Sequence, residues 1–439
     1  MRLPVSLSIV LLALNFQPLQ SASRPNIVFI VADDMGYADC GVQGCTDVPT
    51  PNLDALANGG ARFTNGYVTG TVCSPSRASL MTGRYHYRDG VKDWIPPGKS
   101  GLNTDVPTIA SQLQKAGYQT AHVGKWHLGE EDACHPLNRG FKEFFGFLGG
   151  GRSYFPDKNA TPAQKINRYT QLVRGTETVT ESEYLTSAFA REAVSFIRTK
   201  RDQPFFLYLA FNAVHTPMQP PAGEERFTSI ADQKRRAYAG MLTSMDEGIG
   251  RVTEAIRETG IERDTLICFI SDNGGPITRN APNASRNTPL RGGKGETWEG
   301  GIRVPFFVKW TDRIPAGKVV HEPVIQMDLT ATCLEIAGAK VDVRWPLDGK
   351  TILPLLEGNS ASIHDQLCWS YEHQWAIRQG EWKLTVAGSK KDAPPALYNL
   401  GTDPREENDL SAQEPDRVAK MQAAWEKWRK DTIPGTPQG

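Results

Sequence analysis

Residues 26–32 read NIVFIVA, an uncharged run that stops abruptly at Asp33-Asp34 and Gly36. A short apolar run without alternation fits a strand covered on both faces, the kind found in parallel sheets with helices above and below. Residues 205–211 (FFLYLAF) and 265–271 (TLICFIS) repeat the pattern. The first runs into Asn212 to Pro217, which contains His215, and the second into Asp272-Asn273-Gly274-Gly275. Residues 119–123 predict a further strand that runs into Gly124-Lys125-Trp126-His127-Leu128-Gly129. Helical spacing falls between these runs, over residues 53–58, 107–116, 184–200, 236–259 and 326–337. The 107–116 helix opens with proline near its first turn. The chain therefore predicts an α/β fold, a large central mostly parallel sheet flanked by helices, which residues 304–309 close. In such sheets ligands bind beyond the carboxyl ends of the strands, where the polar residues fall.

From about residue 365 the texture changes to short strands around Trp369, Trp375, Trp382 and Leu397-Tyr398, then a helix over 414–430. This predicts a smaller C-terminal antiparallel sheet plus helix, residues 361–439, after a catalytic domain over 24–360. Residues 1–23 read as a cleavable export signal: Arg2, an apolar run from Val5 to Leu14, then small residues at Ser21-Ala22-Ser23. That run is too short for a membrane anchor, which needs about 20 apolar residues. The expected location is outside the cytoplasm, whether periplasmic, extracellular or lumenal.

Lys+Arg and Asp+Glu both number 49, so no global field recruits nucleic acid or a membrane, and an anionic substrate must be held by a local cluster. Seven cysteines in an exported chain permit disulfides, with Cys40 and Cys45 close enough to pair. Cys268 and Cys333 fit small buried hydrophobes equally well. No CxxC pair suggests zinc. Asn159 and Asn283 begin N-x-S/T triplets.

Chemistry concentrates at residues 73–84, CSPSRASLMTGR. Cys73 opens a predicted helix, where the helix dipole and Arg77 would depress a thiol pKa. A buried loop-corner cysteine is the plainer alternative. Asp33-Asp34 and Asp272-Asn273 are pairs of hard oxygen donors suited to calcium or magnesium, although an Asp-Asp also serves turns and caps. Lys125 and His127, two apart in extended backbone, would project to one side. His215 fits either a hydrogen-bonded loop histidine or an acid-base group. The run LRGGKGETWEGGIR over residues 290–303 carries Lys294 and matches no nucleotide-binding glycine pattern; a flexible surface loop is its simplest reading. Arg152, Tyr154, Trp94, Trp298 and Trp375 are candidate sugar contacts.

The order Asp33-Asp34, CSPSR with its TGR, GKWHLG, NAVHTP, DNGG and the Lys294 loop resembles the type I sulfatases, strongly over about residues 25–310. The resemblance implies an alkaline-phosphatase-like fold and hydrolysis of sulfate esters. It implies that a modifying enzyme oxidises Cys73 to formylglycine, and that Asp33, Asp34, Asp272 and Asn273, with the modified Cys73, hold one calcium. Arg77, Lys125, His127, His215 and Lys294 would surround the sulfate. Together with the export signal it points to a sulfated carbohydrate as substrate. A phosphatase or phosphonate hydrolase of the same fold would call for two metals and a zinc-type histidine set.

Overall fold

Ile27, Phe29 and Val31 belong to one hydrophobic cluster and Val28, Ile30 and Ala32 to another, so their strand is buried on both faces, as its apolar run requires. The computed structural model describes residues 24–155, 167–199, 202–277, 282–359, 361–388 and 390–435. The export-signal segment and Asn159 lie outside them. The main sheet comprises β1 Asn26–Ala32, β2 Ala61–Phe63, β3 Gln119–Lys125, β4 Glu143–Phe147, β5 Val173–Arg174, β6 Glu177–Thr178, β7 Phe205–Ala210, β8 Thr265–Ser271, β9 Phe306–Trp310 and β10 Lys318–Val320. Across the sheet they run β10-β2-β9-β8-β1-β7-β3-β4-β5-β6. β8, β1, β7, β3 and β4 are parallel, so their carboxyl ends share one edge. Helices Pro51–Asn58, Leu185–Arg198 and Gln233–Glu258 cover one face, and Cys73–Thr82, Ile109–Lys115 and Gln326–Ile336 the other.

Two details differ from the sequence reading. β9 does not close the sheet: it lies inside it, antiparallel to both β8 and β2, with β10 beyond. β2 and β10 are three residues each, too short for periodicity to reveal. The helix expected from residue 107 begins at Ile109, because Thr108 and Ser111 form a reciprocal capping box that leaves Pro107 outside.

Strands Leu367–Tyr371, Gln374–Gln379, Trp382–Val386 and Ala396–Asn399 form a separate antiparallel sheet. Helix Pro415–Thr432 packs on it, Trp425 stacking on Trp375 at 4.5 Å and donating from Nε1 to the Trp369 carbonyl. Its core also takes in Tyr67, Ile302 and Ile325 of the larger unit. No helix among the described residues is long and apolar enough to cross a membrane. All seven cysteines are free; Cys40 donates to the Gln43 side chain instead of pairing with Cys45. Cys268 and Cys333 are buried hydrophobes. The Asn283 amide is fully buried, donating to the carbonyls of Asp34 and Val214, and so offers no site for a glycan.

His122 on β3 is fully buried, stacked on Phe144 at 5.1 Å and Tyr208 at 4.7 Å, with Nδ1 3.1 Å from the Tyr208 carbonyl. Burial pushes its pKa down to about 3, and that of His86 to about 4. Both rings are neutral when folded and gain a proton on unfolding below their ordinary value of 6.5. Their contribution is therefore complete above pH 6.5 and is lost as pH falls through about 4 for His86 and about 3 for His122. For His122 the loss at pH 5 is about 2 kcal/mol. Urea unfolding at pH 7.5 and pH 5 should show a smaller acid loss in His122→Phe than in the parent; equal losses would refute the assignment.

Candidate active site

Register brings the polar strand ends together. Ala32 pairs with Ser271, so Asp33-Asp34 leave β1 beside Asp272-Asn273 leaving β8. β3 ends in Lys125, and the loop after β7 carries His215. Because β9 runs the other way, its start lies at this same edge, and the glycine-rich segment before it delivers Lys294. That segment is not a flexible surface loop. Its backbone is packed so closely that a Cβ on Gly274 would lie 1.8 Å from the Gly300 carbonyl oxygen, and one on Gly301 2.0 Å from that of Glu296.

Three buried carboxylates meet three buried cations. Lys125 Nζ lies 2.7 Å from Asp33 Oδ2, Lys294 Nζ 2.7 Å from Asp34 Oδ1, and Arg77 Nη2 2.8 Å from Asp272 Oδ2. Arg77 also donates to the Lys125 carbonyl at 3.1 Å. Oxygen atoms of Asp33, Asp34 and Asp272 lie within 4.8 Å of one another. Burial pushes the Asp33 carboxyl up against the pull of Lys125. Burial acts on Asp34 too, but Lys294, His215 and Asn273 outweigh it and hold this carboxyl at about 2. Asp33 Oδ1 and Asn273 Oδ1 are buried without a hydrogen-bond donor. Two orphaned oxygen acceptors beside three carboxylates fit a hard divalent cation. With all three carboxylates ionised the six charges cancel, so such an ion would leave the site positive and suited to an anion.

The Cys73 sulfur, a carboxylate oxygen of Asp33 and a ring nitrogen of His215 also lie within 4.8 Å of one another. Cys73 is the first residue of its helix, yet its thiol pKa is raised: burial outweighs Lys125 and Lys294, against the depression expected from a helix N-terminus. His127 does not project along an extended strand, because β3 ends at Lys125 and His127 takes a left-handed φ of 58°. Its Nε2 lies 3.2 Å from the Ile95 carbonyl and 3.1 Å from the Tyr169 hydroxyl, while Nδ1 has no partner. The carbonyl only accepts, which assigns the ring proton to Nε2 and leaves Nδ1 as a bare acceptor. Burial, then Lys125, push the His127 pKa well down. Half-buried His215 lies 3.6 Å from Asp34 and is pushed down to about 4 by burial. Asp34, at φ 63°, is a second left-handed residue at this edge, and such conformations persist where surrounding structure enforces them.

A cavity of about 350 Å³ opens over this cluster, lined by Cys73, His127, His215 and Lys294 and also by Trp94, Gly150, Gly151, Tyr169 and Tyr371. Of the candidate sugar contacts, Trp94 lines it and is 47% exposed. The others are used in packing. Tyr154 is fully buried and donates to backbone carbonyls of Asn212 and His215. Trp298 stacks under Arg291 and Trp375 on Trp425, and Arg152 holds the Thr170 carbonyl. Tyr169 and Tyr371 escaped the sequence reading: Tyr169 follows a polar stretch without periodicity, Tyr371 ends strand Leu367–Tyr371, and only the fold carries them to this rim.

The sheet thus gathers a carboxylate-cation cluster and a helix-starting cysteine beneath a cavity at its carboxyl edge, where α/β folds bind ligands. A profile described as Sulfatase matches residues 25–339, and one described as N-sulphoglucosamine sulphohydrolase, C-terminal, matches residues 294–431. The chain belongs to the sulfatase family and is a sulfuric ester hydrolase. It is 31% identical to N-acetylgalactosamine-6-sulfatase of Rattus norvegicus, over 98% of this chain and 90% of that protein. It is 32% identical to arylsulfatase J of Mus musculus, over 94% and 77%. The crystal structure of Ps i-CgsB in complex with k-i-k-neocarrahexaose is similar at 38% identity and a TM-score of 0.87, covering 93% of this chain and 94% of that one.

Removing one side of the cluster should be costly. Arg77→Met leaves Asp272 buried without its cation, and urea unfolding with a chelator present should show a loss of about 3–5 kcal/mol. Arg77→Lys should recover only part of it, since Nε and Nη2 both reach the same carboxylate oxygen. Full recovery would count against that geometry.

Proposed function

We propose that this protein hydrolyses sulfate esters of carbohydrates, with Cys73 converted after translation to formylglycine and one calcium held by Asp33, Asp34, Asp272, Asn273 and the modified residue 73. The observation that carries the reading is the position of Cys73, within 4.8 Å of Asp33 and His215 ligand atoms and in a cavity that Lys294 also lines. Its sulfur stands where the aldehyde oxygen would be. A hydrated aldehyde there would supply one hydroxyl to attack the sulfur of the ester and a second whose proton could be withdrawn so that sulfate leaves. Calcium would supply fixed positive charge for the sulfate oxygens.

The remaining roles fall to side chains. Lys125 and Lys294, anchored on Asp33 and Asp34, aim charge at the place where a sulfate gains it. Arg77 holds Asp272 and the Lys125 backbone, which fixes the position of both and orients residue 73. His127, with Nδ1 bare, withdraws the proton at residue 73. His215 protonates the departing alcohol. It is neutral at rest, and a sulfate beside it stabilises its charged form. Trp94 at the rim offers an exposed aromatic face to the sugar. The carbohydrate assignment is supported by the similar N-acetylgalactosamine-6-sulfatase and by the oligosaccharide bound to Ps i-CgsB. Export through the 1–23 signal and a formylglycine-generating partner complete the reading.

The reading is tested by turnover of p-nitrophenyl sulfate over p-nitrophenyl phosphate and of defined sulfated oligosaccharides; preference for the phosphate would overturn it. Peptide mass spectrometry should find formylglycine at position 73 in active enzyme, and an unmodified thiol in fully active protein would sink that assignment. Chelation should abolish activity and calcium restore it, while Asp272→Ala should not respond to calcium. His215→Ala should lose about a hundredfold or more on a sugar sulfate and far less on the aryl ester, whose leaving group needs little protonation. Equal losses, with ester cleavage rate-limiting, would contradict the acid role.

A further inference from the structure

Lys294 sits in a segment with glycine at 292, 293, 295, 300 and 301, so few side chains are available to fix its course. The larger unit holds part of it, Lys294 N–H donating to the Gly275 carbonyl at 3.2 Å and Gly295 N–H to that of Thr71 at 2.9 Å, and a second set of contacts comes from the C-terminal sheet and the loop after it. Gln374, at the start of strand Gln374–Gln379, donates from Nε2 to the Gly295 carbonyl at 2.8 Å and accepts at Oε1 from the Thr297 N–H at 3.3 Å. It thus grips the backbone of the residue next to Lys294 and that of the residue two further on. Glu406 accepts the Glu299 N–H at 2.8 Å, and its own carbonyl accepts from Arg291 at 2.8 Å, which ties down both flanks of the segment. Lys383 lies between the two carboxylates, 2.9 Å from Glu299 and 2.8 Å from Glu406. Gln374, Lys383, Glu299 and Glu406 are at most 1% exposed.

Sinking three charges out of water gains little stability over apolar packing, so stabilisation alone does not account for this network. Its strength is directional: each charge is aimed at a backbone group or at another charge that is. We propose that Gln374, Lys383 and Glu406 are positioning residues that fix the Lys294 segment against the active-site edge, so that the C-terminal sheet sets the place of a cation in the larger unit. The inference rests on the role assigned to Lys294 above.

A double-mutant cycle on p-nitrophenyl sulfate tests it, with rates normalised to formylglycine content and folding checked by thermal unfolding. Gln374→Ala and Glu406→Gln should each lower kcat/KM by about tenfold in the parent, and by no more than about twofold when Lys294→Ala is already present. If Glu406→Gln does not fold, Gln374→Ala carries the cycle. Equal penalties in both backgrounds would overturn the inference while leaving the active-site reading intact. Undiminished activity of Lys294→Ala would instead overturn the role of Lys294, and this inference with it.

Discussion

Everything at the active edge depends on the pairing of three carboxylates with three cations out of water. Asp33 with Lys125, Asp34 with Lys294 and Asp272 with Arg77 would each be untenable alone, because an isolated buried charge costs several kcal/mol. The six residues come from five elements: the ends of β1, β8 and β3, the Cys73 helix and the segment before β9. The sheet must therefore be complete before the charges can balance. In the proposed enzyme a bound cation would shift that balance toward positive charge and give two orphaned oxygens a partner.

The fold serves this cluster by topology. Five parallel strands bring their carboxyl ends to one edge, and the antiparallel β9 returns its preceding segment to the same place. Apolar residues on both faces of β1 and its neighbours hold that edge still, and the two left-handed residues, Asp34 and His127, turn the chain where the strands stop. The C-terminal sheet is bound into the arrangement through Gln374 and Glu406, and its Tyr371 reaches the cavity rim, donating to Asp93 beside Trp94.

Burial is also what separates the observed electrostatics from the expected ones. A thiol at a helix N-terminus is ordinarily acidified, but Cys73 is buried and its pKa rises. In the proposed enzyme this thiol is the substrate of a modification and not itself the nucleophile, so thiolate character is not required of it.

Much of this was legible in the sequence. The apolar runs 26–32, 205–211 and 265–271 could be read as buried parallel strands because nothing polar interrupts them, and their polar residues fell where such sheets place ligands. Hence Asp33, Asp34, Cys73, Arg77, Lys125, His127, His215, Asp272, Asn273 and Lys294 were identifiable one by one as motif residues, and the fold brings them to one edge. Which cation meets which carboxylate was not legible, because pairing depends on register and on the direction of β9. Nor were Tyr169 and Tyr371, or the packing roles of Tyr154, Trp298 and Trp375, since a ring's local sequence is the same at a rim as in a core. The sequence by itself determined the long buried strands, the polar residues at their ends and the family. Only the tertiary structure decided the partners, because those contacts join residues as far apart as Asp34 and Lys294, and no local pattern records them.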